Sequence, residues 1–111
     1  MEKGRLNELI ILLKENPNDP FLKFGIAMEH LKSKNYPESL KFFQDLVDNH
    51  PDYSGTYFHM GQLYERMGKE KKAMEVYQKG MKVTKRKKEM KDYEELKEAF
   101  FLLMEDDDDD F

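Results

Sequence analysis

The sequence contains no cysteine. That excludes a disulfide framework, a thiolate nucleophile and every zinc site built on cysteine ligands. It has no apolar run near the roughly 20 residues that span a bilayer. Its longest apolar stretches are Leu9–Leu13 and Ala99–Met104. The start, Met1-Glu2-Lys3-Gly4-Arg5, leads into about five apolar residues, short of the roughly 7–15 of a signal-peptide core. The expectation is a soluble cytoplasmic protein with no membrane association. Enzymatic signatures are missing too: there is no glycine-rich phosphate loop, no His-Glu-x-x-His and no Gly-x-Ser-x-Gly. The three histidines, His30, His50 and His59, include no pair at the i, i+4 spacing of a helical metal site. No catalytic residue, no metal ligand and no cofactor is therefore expected.

What is present is a globular composition: 39% hydrophobic and 13% aromatic residues, beside 38% charged. A chain of 111 residues suits one compact domain. The net charge of −4 is strongly segregated. Residues 1–81 carry 12 basic and 12 acidic side chains, residues 82–97 carry seven and four, and residues 98–111 carry none and seven. The acidic excess thus lies at the end, in Glu105 to Asp110, a like-charge block of the kind that stays solvated and mobile.

Apolar spacing is helical almost throughout, and no period-2 alternation is sustained. Breakers fall at regular intervals: Asn16-Pro17-Asn18-Asp19-Pro20, Lys34-Asn35-Tyr36-Pro37, His50-Pro51-Asp52 and Gly68-Lys69. They predict six helices, at about 3–15, 19–33, 37–49, 53–67, 70–87 and 89–105. Asp19 and Asp52 are candidate N-caps, Pro20 and Pro37 suit helix starts, and Gly68 suits a C′ position with positive φ. Short loops make consecutive helices antiparallel neighbours.

The hairpins repeat. A shift of 34 residues brings Pro17 onto Pro51, Phe24 onto Phe58, Ile26-Ala27 onto Met60-Gly61, Ser39 onto Ala73 and Phe43-Gln44 onto Tyr77-Gln78. This period, with Tyr57, Met60-Gly61, Tyr64, Ala73 and Tyr77 in one copy and Ile26-Ala27, Ser39, Phe43, Leu46 and Pro51 in the other, resembles the tetratricopeptide repeat. The departures are Lys23 for the large residue, His30 for the aromatic, Gly80 at a position usually larger, and Lys85 for the closing proline. The resemblance implies an all-α fold, an α–α superhelix with two full helix-turn-helix repeats. Its expected parts are one domain over 1–105, comprising a half-repeat at 3–17, repeats at 20–53 and 54–87, and a capping helix at 89–105. An acidic tail occupies 106–111. Because two repeats are fewer than the three usually needed, the terminal helices must complete the core. Met90, Tyr93, Leu96, Ala99, Phe100 and Leu103 are the last helix's candidates.

The resemblance also implies a function: protein–protein interaction, with a partner peptide or helix held in the concave groove lined by the first helices. The inward positions would be Phe21, Phe24, Gly25, Met28, Leu31 and Lys32 in the first repeat. In the second they would be Gly55, Phe58, His59, Gln62, Glu65 and Arg66. Candidate partner-binding residues are Phe21, Phe24, Met28, Lys32, Phe58, His59, Gln62 and Arg66. The alternative expectation is that the terminal helices cover the aromatics. Members that clamp a chaperone's C-terminal carboxylate use Lys and Asn where this sequence has Phe24, Met28 and His59, so that subtype is not expected. The basic run from Lys82 to Lys91 lacks the interleaved aromatics of a nucleic-acid surface, and cations there suit a helix C-terminus. No nucleic-acid partner is expected. Phe100 to Met104 are consecutive and must surround their helix, which leaves Phe101 and Leu102, with Phe111, exposed. A homodimer through Phe101 and Leu102 is the alternative function.

Overall fold

The computed structural model describes residues 2–108, with side chains over 4–105. Every regular element among them is a helix: α1 (Glu2–Glu15), α2 (Pro20–Lys32), α3 (Tyr36–Asn49), α4 (Gly55–Arg66), α5 (Glu70–Lys87) and α6 (Met90–Asp108). All six predicted helices are present, most with ends within two residues of expectation. At the C-terminus the backbone carries α6 to Asp108, three residues beyond the expected 105. Residues 109–111, with the side chains of 106–108, lie outside the described residues, and so does the tail's expected mobility.

Local chemistry accounts for most of the helix ends. Asp19 caps α2: its carboxylate accepts from the backbone N–H of Phe21 at 2.9 Å and of Leu22 at 3.4 Å. Pro20 takes the first helical position, where a missing N–H is harmless. The N-cap position expected at Asp52 falls instead on Ser54. Pro51-Asp52 lies in a turn closed by Tyr53 N–H donating to His50 C=O at 3.0 Å, so α4 starts later, with Ser54 at its N-cap. Gly68 leaves α4 at φ +73°, as its C′ role requires. Lys34, one repeat earlier, takes the same left-handed turn at φ +61° without glycine's freedom, and Lys88 closes α5 likewise at +62°. Helix α5 has 18 residues against 14 for α3. The reason is Lys85, which stands one repeat after Pro51 and does not stop the helix.

The chain divides into two compact units, residues 1–53 and 54–111. In the first, α2 packs on both α1 and α3. Leu9, Leu22 and Ile26 form a buried cluster with Leu6, Ile10, Leu13 and Phe42 against it. Ala27 and Ser39, both fully buried, let α2 and α3 approach, and Ser39 Oγ donates to the Ala27 carbonyl at 2.8 Å. Lys23 occupies the slot that belongs to Tyr57 in the second repeat. Its stem is buried, and its ammonium reaches Asp45 Oδ1 at 3.2 Å and His50 Nε2 at 3.4 Å. Burial alone would push the Asp45 carboxyl up. Hydrogen bonds from Asn49 and Lys23, with the charges of Lys23 and His50, outweigh it and hold Asp45 below the usual carboxylate range.

In the second unit α5 packs between α4 and α6. The core is Tyr57, Met60, Leu63, Ala73, Tyr77 and Leu96. Tyr77 lies against Gly61 so closely that a Cβ there would stand 2.6 Å from two of its ring carbons. A Cβ on Gly80 would stand 2.9 Å from both Tyr57 Cγ and Leu96 Cδ1, so glycine is what lets α4, α5 and α6 meet at that level. Of the residues expected to complete the core, Leu96, Phe100 and Leu103 are buried and Tyr93 and Ala99 half-buried. Met90 is instead exposed, because it opens α6 just past the turn at Lys88.

Candidate functional site

Helix α4 positions the second unit's candidates. Phe58 is half-buried, edge-on to His59 at 5.7 Å and tilted against the Tyr77 ring at 6.5 Å. Gln62 and Glu65, one turn further on, are anchored by the buried Tyr77 hydroxyl. It donates to Glu65 Oε2 at 2.5 Å and accepts from Gln62 Nε2 at 2.9 Å. Burial and the Glu65 carboxylate push the Tyr77 phenol far up, so it stays a donor across the working pH range. His59 is pushed down by burial, with Glu95 pulling weakly the other way. The imidazole is thereby kept toward its neutral form.

Helix α6 supplies the opposite wall. One hollow of about 300 Å³ is lined by Phe58, Gln62 and Glu65 from α4 and by Glu95, Glu98, Ala99 and Leu102 from α6. A second, of about 120 Å³, is bordered by Gly55, Phe58, His59, Asp92, Glu95 and Leu96, with Ser54 at its end. The two share Phe58 and Glu95 and form one cleft along the α4–α6 seam. The cleft gathers three of the predicted residues, Phe58, His59 and Gln62. Arg66 is exposed at the last turn of α4 and does not border it.

In the first unit the predicted residues all lie on α2. Phe21 is 63% exposed, Met28 is half-buried and Lys32 is exposed. Phe24 is partly engaged, packing on Phe43 at 6.2 Å and on Tyr53 at 5.5 Å. A hollow of about 410 Å³ in this unit is bordered by Pro20, His50, Pro51, Asp52 and Tyr53, and by none of these four residues. On α6, Phe101 and Leu102 are 45% and 56% exposed, and Leu102 also borders the cleft. The sequence reasoning missed Asp92, Glu95 and Glu98 as site residues. Their signal was a stripe at helical spacing down one side of α6, Asp92-Glu95-Ala99-Leu102, of which only Ala99 and Leu102 were singled out, as a core and a self-association residue.

The sequence matches the tetratricopeptide repeat family over residues 54–86. It is also 40% identical to a tetratricopeptide repeat domain protein from Salinibacter ruber. The match to that protein's solution structure has a TM-score of 0.75 and covers 78% of this chain and 88% of that one. This chain belongs to the tetratricopeptide repeat family. A crystal structure of a tetratricopeptide repeat domain protein from the same organism agrees at 40% identity, with a TM-score of 0.74 over 78% of this chain and 96% of that one. The crystal structure of MamA shares the fold at 14% identity, with a TM-score of 0.68 over 94% of this chain and 67% of MamA. No curated protein matches the sequence. Tetratricopeptide repeat domains are protein-interaction modules and in general are not catalytic. Among the described residues, no helix is long and apolar enough to cross a membrane.

Proposed function

We propose that this tetratricopeptide protein holds a segment of a protein partner on the first helices of its repeats, with the α4–α6 cleft as the main site. The observation that carries this reading is the cleft's make-up: Phe58 and Leu102 offer apolar surface to solvent, beside Gln62 hydrogen-bonded to Tyr77. An aromatic that remains half-accessible in a hollow, with fixed polar groups beside it, suits an anchor-and-register mode of peptide binding. Phe21, Phe24, Met28 and Lys32 on α2 are proposed as the first unit's contribution. The protein does no chemistry of its own in this reading, and its place is the cytoplasm.

The test is affinity capture from native lysate by wild type beside Phe58→Ala and Leu102→Ala, with circular dichroism showing all three folded. A partner held by wild type and lost by both variants supports the cleft. The same partner held equally by all three overturns it.

A second reading has its own observation. Phe101, Leu102 and Met104 are 45%, 56% and 37% exposed on one end of α6. Three large apolar side chains so close together suit self-association through α6. Light scattering on purified protein decides: twice the monomer mass, lost in Phe101→Glu, supports it, and a monomer at high concentration removes it.

A further inference from the structure

We propose that the occupant of the α4–α6 cleft is a basic segment, with lysine or arginine side chains flanking one apolar anchor. This rests on the reading of the cleft as a partner-binding surface and adds the partner's chemistry. The cleft's apolar floor is Phe58, Leu96, Ala99 and Leu102. Its rim is Glu65, Asp92, Glu95 and Glu98. No lysine or arginine borders either hollow, although the chain has 19 of them. The one base present, His59, is pushed by burial toward neutrality and does not cancel the carboxylates.

The dimensions point the same way. From Gly55 to Glu65 the α4 wall is about 15 Å long at 1.5 Å per residue. That holds about five residues of extended chain at roughly 3.3 Å each. Asp92, Glu95 and Glu98 are exposed and follow one another along α6, so their charge is distributed down the cleft. Among the described residues no three acidic or imidazole groups converge to hold a metal ion. The matching cation is therefore a series of side-chain charges and not a single ion. Rim carboxylates would attract such a segment over about 10 Å at ordinary salt, while the floor takes its apolar residue.

A random-peptide display library panned on the folded full chain tests this. The expected winners carry two or more Lys or Arg around a Leu, Phe or Met. Their affinity falls about tenfold in Glu95→Gln/Glu98→Gln and about tenfold in Leu102→Ala, an exposed position where truncation leaves the core intact. It also falls as salt rises. Winners that are neutral or acidic, yet weakened by Leu102→Ala, overturn the basic class and leave the cleft standing. Basic winners that bind both variants as tightly as wild type are held elsewhere, on the acidic C-terminal residues for example, and overturn the proposal. A library that yields no winner overturns both this proposal and the reading beneath it.

Discussion

Gly61→Ala adds a single methyl group, and its effect can be worked from the seam between α4 and α5. The new Cβ would stand 2.6 Å from two ring carbons of Tyr77, well inside contact distance. Tyr77 is fully buried and cannot swing outward, and its hydroxyl is tied to Gln62 and Glu65. Relief requires the helices to part or the ring to leave both hydrogen bonds. Overpacking of this kind costs about 1–3 kcal/mol. Losing a hydrogen bond to a charged acceptor adds about 1.5–3 kcal/mol. Alanine's better helix propensity returns about 1 kcal/mol. The net expectation is a loss of about 1.5–5 kcal/mol, seen as a fall in Tm of about 6–20 °C for a chain of this size. Urea and thermal unfolding followed by circular dichroism measure it. The mechanism also predicts non-additivity: Gly61→Ala should cost much less in a Tyr77→Leu background, where the ring edge and the hydroxyl are gone. A Gly61→Ala variant within about 0.5 kcal/mol of wild type, or a strictly additive cycle, would refute the account of this seam.

Three further outcomes are expected. Asp19→Ala should lower unfolding stability by about 1 kcal/mol in urea unfolding, because the α2 cap is lost; an unchanged stability would show that the cap contributes nothing. Lys34→Gly should raise stability by about 1 kcal/mol, since φ is +61° there and Gly68 fills the equivalent turn; a loss would show that the lysine side chain makes up for its strained backbone. Asp45 is held below its ordinary pKa of 3.8, so its stabilisation is present above that value and lost as pH falls through the lower folded-state pKa. The stability gap between wild type and Asp45→Asn should therefore be open at neutral pH and close below about pH 4; a gap that is independent of pH would mean the carboxylate's charge is not what Lys23 and His50 hold.

The comparison of expectation with structure separates two kinds of information. Helix starts and stops were readable because they depend on a few neighbouring residues. Asp19 with Pro20 and Gly68 act within one turn of chain, whatever else the protein does. Asp52 misled because the same cue, an Asp after a proline, serves a turn as well as a cap, and only the hydrogen bond closing that turn decides between them. Lys23 was visible as a departure from the repeat, but its solution was not. Its partners Asp45 and His50 lie 22 and 27 residues away.

Spacing in the chain alone dictates an all-helical repeat of period 34, most of the helix boundaries, the small residues that let paired helices touch, and the aromatic positions of α4. These follow from spacing at i to i+4 and from a shift of the chain upon itself. Tertiary structure alone decided which stripe of α6 meets α4. That choice is a rotation about the helix axis, set by Leu96, Phe100 and Leu103 turning inward, with Gly80 admitting Leu96 and Tyr57 at the α5 contact. Once those three are buried, Asp92, Glu95 and Glu98 have no freedom left to face elsewhere. An acidic, apolar-floored cleft is the consequence: the stripe on α6 is legible in the sequence, but what it faces is not.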